Sequence, residues 1–148
     1  MGDLKLTSSA FEDGGEIPRE CGYKNGNKVP PLTVSGIPEG TKSLSLIMDD
    51  PDAMEPAGKV WVHWVMWNID PTNTELFVEN LTREGMTDFG EVGYGGPAPP
   101  DKRHTYVFKL YALDSELDLP GKSTKADVEK AMKDHIIAEA KLTGTYAP

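Results

Sequence analysis

Cysteine is nearly absent: Cys21 is the single one in 148 residues. One sulfur closes no internal disulfide and cannot supply the paired thiolates of a structural zinc site, so a buried thiol in a reducing cytoplasm fits it. Positive charge is also scarce. The 15 Lys and Arg face 24 Asp and Glu, for a formal net charge of −9. That balance argues against the nucleic-acid backbone and anionic membrane surfaces as partners. It does not exclude a small anion, which feels a local pocket before it feels the average surface. No apolar run approaches the ~18 residues that cross a bilayer. The start, MGDLKLTSSAF, lacks the basic and apolar stretches of a secretory signal. These absences read as a cytoplasmic chain with no stable membrane association. A G-x-S-x-G element is missing too, and Cys21 lies far in sequence from the histidine motifs, which disfavours nucleophilic catalysis.

What is present in quantity is punctuation. The 12 prolines and 15 glycines leave short apolar runs between them, the pattern of a mainly β domain rich in turns. Strands are predicted at Leu4–Thr7, Leu32–Ser35, Ser43–Asp49, Val60–Ile69, Thr105–Asp114 and near Thr143–Tyr146. Val60–Ile69 is apolar on both faces apart from His63 and Asn68, as expected of a central strand covered on both sides. One helix is predicted, opening at Ser123 and Thr124 with a capping-box spacing from Thr124 to Asp127. Its stripe of Val128, Ala131, Met132, His135, Ile136 and Leu142 runs to a stop at Gly144. Nothing divides residues 1–148 into more than one domain.

The chemistry-bearing residues sit at strand ends. On β parity, Leu44, Leu46, Met48 and Asp50 share a face, with Asp52 just past Pro51. His63 shares a face with Trp61, Val65 and Trp67; His104 and Tyr106 share one with Phe108 and Leu110. Asp49 has the opposite parity. Between the histidine strands runs GYGGPAPPDKRH, whose Pro97, Pro99 and Pro100 carry no N–H, leaving Gly95, Gly96 and Ala98 as backbone donors in a stiff loop. Each signal alone also has a plain structural reading. Asp50-Pro51-Asp52 makes an ordinary Asx turn, His63 a satisfied core histidine, and the tryptophans core.

Taken together, VPPLTVSGIPEGTKSLSLIMDDPDA, VWVHW, GYGGPAPP and HTYVFKLYAL resemble, in order and spacing, the phosphatidylethanolamine-binding protein family. The resemblance is to its short prokaryotic, Raf-kinase-inhibitor-like branch, and it covers about Leu4 to Tyr146. It implies a β-sandwich of two antiparallel sheets with one C-terminal-region helix, short peripheral helices and a small anion pocket at one end. Carried over position by position, that pocket comprises Asp50, Asp52, Trp61, His63, Gly96, Ala98, His104 and Tyr106. The chain departs from the family's common pattern at Met54, where proline is usual, at Ala98, where cysteine is usual, and at Thr105, where arginine is frequent.

The expected function is non-catalytic binding of phosphate or another small anionic or phosphorylated group, with no cofactor and no metal. Some members of the family inhibit kinases or proteases, and likeness to short prokaryotic members implies a homodimer. The aspartates have the wrong sign for an anion pocket, so a carboxylate is expected to accept from His63 or His104, fixing the tautomer and favouring the imidazolium, while the opposite ring nitrogen, the Tyr106 hydroxyl and the Ala98 amide face the ligand. One carboxyl group that protonates on binding is the other arrangement. The competing reading is a metal-dependent phosphoesterase-type hydrolase built on the Asp/His cluster.

Overall fold

Eight consecutive buried residues, Ser43–Asp50, form strand β4 at the centre of the larger sheet. The computed structural model describes residues 3–72, 75–76 and 83–148. Within them β4 is flanked by β5 (Trp61–Ile69) and β8 (His104–Leu113), and β9 (Ile136–Tyr146) pairs along β8. The short β2 (Gly15–Glu16) and β7 (Arg83–Glu84) complete a six-stranded sheet in the order β2-β9-β8-β4-β5-β7. A three-stranded sheet, β1-β3-β6, is made of Lys5–Thr7, Leu32–Ser35 and Glu75–Leu76. Every pairing is antiparallel except β2 with β9.

The central strands of the large sheet, β4 and β5, are largely apolar on both faces because both are covered. Leu44, Leu46 and Met48 point with Trp64, Met66, Tyr106, Phe108 and Leu110 into the core that also holds Leu6, Leu32 and Val34 of the small sheet. On the opposite face, Ile47, Val65, Trp67 and Leu113 pack with Val128 and Met132. The last two belong to α2 (Lys125–Met132). Each fully buried side chain of this kind stabilises the fold by ~1.5–3 kcal/mol. Asp49, of opposite parity to Asp50, lies on the α2 side, where Lys125 (2.7 Å) and Lys109 (3.2 Å) donate to it. Among the described residues no helix is long and apolar enough to cross a membrane.

The expected helix starts where its cap predicts. Thr124 Oγ1 accepts from Asp127 N (3.2 Å), and the Asp127 carboxylate accepts from Thr124 N (3.0 Å). It does not run to Leu142, however. It stops at Met132, Asp134 takes a left-handed φ of 70°, and Ile136–Tyr146 is an 11-residue strand. The helical stripe was coincidental: Ala138, Ala140, Leu142 and Tyr146 recur every two residues or a multiple of two, and it is these that pack on the sandwich core. Ten register pairs with β8 outweigh the local preference for helix. His135, on the turn between helix and strand, sits 2.8 Å from Asp114, an acidic partner that only the fold brings near.

The reciprocal cap at the start of α2 yields a direct test. Thr124→Ala is expected to lower unfolding free energy by about 1 kcal/mol in urea denaturation, leaving the β-sheet circular-dichroism signal unchanged.

Candidate functional site

β4 and β5 pair out of step at two points, between Leu44 and Leu46 and, nearer the strand end, between Met48 and Asp49. Met48 opposes Trp64 and Asp49 opposes Val62, so His63 is an extra residue on β5 at this second break in register. A bulge of this kind bends the strand and re-aims its side chains. Before it, Trp61 pairs with Asp50, and both line a cavity at the sheet end together with His63. After it, Trp64 and Met66 face the sandwich core while Val65 and Trp67 face α2. The expectation that His63 shares its face with Val65 and Trp67 is therefore corrected: the added residue shifts the alternation between them.

The cavity measures about 220 Å³ and is lined by Asp50, Ala53, Ala57, Trp61, His63, Phe89, Ala98, Pro100 and His104. Its most connected residue is His104. Nδ1 donates to Asp50 Oδ2 (2.6 Å) and Nε2 to Asp101 Oδ1 (2.7 Å). Carboxylates only accept, so the ring must carry protons on both nitrogens or share one with a carboxyl group. Burial works against the imidazolium, yet Asp50 and Asp101 together hold His104 above its ordinary range. Burial likewise pushes the Asp50 carboxyl up, further than His104 and the Asp52 amide pull it down. Desolvation opposes ionisation of Asp101 as well, but His104 and the amides of Lys102 and Asp101 keep it low. Protons thus concentrate at the inner end of the trio. The side chains of His104 and Asp50 are 1% and 4% exposed, that of Asp101 36%.

His63 behaves oppositely. Its Nδ1 donates to the Gly95 carbonyl (2.7 Å), which fixes the tautomer with an unprotonated Nε2. Burial drives its pKa down to about 4, against the pull of the Gly95 and Gly96 carbonyls. A carboxylate does accept from one of the two histidines, His104, as expected, but the free N–H expected on the opposite ring nitrogen is found on neither ring. His63 is neutral at physiological pH, and both nitrogens of His104 are occupied.

The loop is a clamp more than a nest. Gly95 N donates to His63 O (2.9 Å), Gly96 N to Asn27 Oδ1 (2.7 Å), and Tyr23 N to Pro97 O (2.9 Å). Asn27 Nδ2 also holds Tyr94 O (2.9 Å). Gly96 is therefore not a cavity donor; a Cβ there would lie 2.0 Å from Cys21 O. Ala98 does line the cavity, with its backbone N–H against the Tyr106 phenol. Asp52 is exposed and accepts from Thr105 N (2.8 Å), tying the turn to β8 from outside the cavity. Burial pushes the Cys21 thiol up to about 11, with Glu20 adding to the effect, so it is no nucleophile.

Tyr106 lies between the two imidazoles, its ring 5.1 Å from His63 and 6.3 Å from His104. Its hydroxyl is buried and makes no hydrogen bond of ordinary geometry among the described residues, although the Ala98 amide and Asp50 stand close enough to act on it. Burial first, then the charge of Asp50, pushes the phenol well up, so it stays a donor. Sequence reasoning did not find Phe89, Asp101 or Asn27. Phe89 stacks on Tyr23 (4.1 Å between centroids) and meets Trp61 edge-on (5.7 Å). Its loop is anchored by Asp88, which accepts from Val62 N and Lys59 Nζ. Asp101 lies within the quoted GYGGPAPPDKRH, three residues before His104, a spacing that offered a signal. Among the described residues no group of three or more His, Cys, Asp or Glu is arranged to hold a metal ion.

A two-sheet fold with this cavity at the end of its larger sheet recurs in a known class. Residues 7–147 match the model of the phosphatidylethanolamine-binding protein family, and the chain belongs to that family. A UPF0098 protein of Methanothermobacter thermautotrophicus is 45% identical, over 97% of this chain and 98% of its own length. One from Chlamydia trachomatis is 39% identical, over 97% and 98%. Among solved structures, a phosphatidylethanolamine-binding protein homolog from Chlamydia trachomatis superposes with a TM-score of 0.91 at 37% identity, covering 99% of this chain and 98% of that one. YbcL of E. coli, a member of the same family, gives 0.88 at 34% identity, with 98% of each chain covered.

Two tests follow from this geometry. Neutral, buried His63 stabilises the protein above the unfolded-state pKa of about 6.5, and that stability is lost progressively as pH falls through about 4. The loss amounts to roughly 3 kcal/mol. Urea unfolding at pH 7, 5.5 and 4 should show an acid slope in wild type that is reduced in His63→Gln. Separately, Gly96→Ala forces Cβ against backbone atoms of Cys21 and Tyr23. It is expected to cost about 1–3 kcal/mol in the same assay.

Proposed function

We propose that this protein binds a phosphate-like or other small oxyanionic group in the cavity bounded by Asp50, Trp61, His63, Ala98, His104 and Tyr106, without chemistry on it. The observation that carries this reading is the Tyr106 hydroxyl. A buried donor left unpaired costs about 1–3 kcal/mol, and here it stands beside Asp50 and the Ala98 amide, both of which line an open cavity. An oxygen of a ligand accepting from Tyr106 O–H and Ala98 N–H removes that cost.

The size of the cavity narrows the ligand. At about 220 Å³ it is smaller than the ~300–1,000 Å³ of drug-sized sites, so it takes a head group and no acyl chain. Trp61, Phe89 and Pro100 give it apolar walls, which exclude water and strengthen each hydrogen bond to the guest. Asp50 and Asp101 act on the guest through His104, holding the ring in one orientation. The hydrolase alternative gains no support from the arrangement, since the cavity's one charged ring has both nitrogens engaged by carboxylates. A carboxypeptidase Y inhibitor solved with its cognate proteinase shares the fold at 18% identity. At that distance the likeness speaks to architecture alone.

Tyr106→Phe separates this reading from a purely structural role. Removing the orphan hydroxyl is expected to stabilise the ligand-free protein by up to about 1 kcal/mol. It should also weaken binding of inorganic phosphate about tenfold, equivalent to ~1.4 kcal/mol, in calorimetric titration. Unchanged phosphate affinity in this variant, or no phosphate binding by wild type, counts against the pocket.

A further inference from the structure

The cavity has an imbalance of hydrogen-bonding character. Donors near it are few: the Ala98 N–H on its lining, and the Tyr106 O–H, which lies behind that lining against the Ala98 amide. Its acceptors are Nε2 of His63, left bare by the Nδ1–H bond to Gly95, and the Asp50 carboxylate. Among the described residues no lysine or arginine lines it. His104, the one ring that carries positive charge, has Asp50 on one nitrogen and Asp101 on the other. Two carboxylates sharing one imidazolium leave the trio with a net negative charge. The other charges near His63 are compensated by lysines from neighbouring segments: Asp88 by Lys59, and Asp49 by Lys125 and Lys109.

A fully ionised phosphate brings only acceptors into this environment. It would leave the His63 lone pair facing another lone pair, and it would add two negative charges beside a group already negative. A ligand that keeps one acidic hydrogen meets every group. Its P–OH donates to His63 Nε2 or to Asp50, while another oxygen accepts from Tyr106 and Ala98. Building on the anion-binding reading above, we infer that the site selects the singly protonated form of an oxyacid: the monoanion of a phosphate monoester, in preference to its dianion and to diesters. His63 sets this selectivity by being an acceptor, and its tautomer is set in turn by one backbone carbonyl.

The test uses methyl phosphate and dimethyl phosphate in calorimetric titrations of the intact protein at pH 5 and pH 8. A phosphate monoester loses its second proton near pH ~6, whereas the diester carries one charge and no P–OH at either pH. At pH 5 His63 is still neutral, because its pKa lies lower, at about 4. The expected result is methyl phosphate bound roughly a hundredfold more tightly at pH 5 than at pH 8. At pH 8 its binding should take up about one proton, read from buffers of different ionisation heat. Dimethyl phosphate should bind at least tenfold more weakly than methyl phosphate at pH 5. Methyl phosphate bound more tightly at pH 8 overturns this inference and leaves the anion pocket standing. So does a diester that matches the monoester, or one that shows the same pH dependence, which would assign the titration to His104 or Asp50. If neither probe binds at pH 5 or at pH 8, both the inference and the pocket on which it rests are removed.

Discussion

A buried imidazole gripped at each nitrogen by a carboxylate organises this end of the molecule. His104 ties β8 to the end of β4 through Asp50, and to the approaching loop through Asp101. Placing such charges out of water costs several kcal/mol each, and only their mutual bonds offset it. The inner pair therefore holds together as a unit: if Asp50 or His104 is removed, the other is left desolvated without its partner, while Asp101 stays in contact with water. The arrangement also explains why acids stand beside an anion pocket. Asp50 and Asp101 serve His104, and His104 holds the cavity wall in place.

The rest of the site is polar but uncharged. His63 is neutral because it is buried, the Tyr106 phenol keeps its proton for the same reason, and the loop contributes Ala98 while Gly95 and Gly96 are used internally. In a dry cavity, neutral donors and acceptors discriminate strongly, because each mismatch leaves a group unpaired. Specificity in such a site comes from matching hydrogen atoms, not from summing charge. A chain with a net charge of −9 can hold an anion on these terms without a lysine or arginine among the described residues that line the cavity.

Much of the architecture could be read from the chain beforehand. Short apolar runs between prolines and glycines placed β1, β3, β4, β5 and β8 within a residue or so, and Thr124 with Asp127 marked the start of α2. Its end was misread because Ile136 and Leu142 satisfy a helical spacing as well as an alternating one. Long-range pairing with β8 decided between them, and no local signal encodes that. Of the eight expected site residues, Asp50, Trp61, His63, Ala98 and His104 line one cavity, and Tyr106 adjoins it. Asp52 and Gly96 support it from outside through Thr105 N and Asn27 Oδ1.

By itself the order of residues determined the sheet-rich class, the covering of β4 and β5 on both faces, and the gathering of imidazoles and acids at strand ends. Those properties follow from composition and short-range periodicity, which act along the chain. The aim of His63, the pairing of His104 with Asp101 as well as Asp50, and the loss of Gly95 and Gly96 as free donors were decided only in three dimensions. A one-residue slip between β4 and β5 turns a side chain, and a segment near Asn27, some seventy positions away, takes up the loop amides. Hydrogen bonds are satisfied by whatever the fold brings within reach, so the protonation and polarity of the site belong to the tertiary structure.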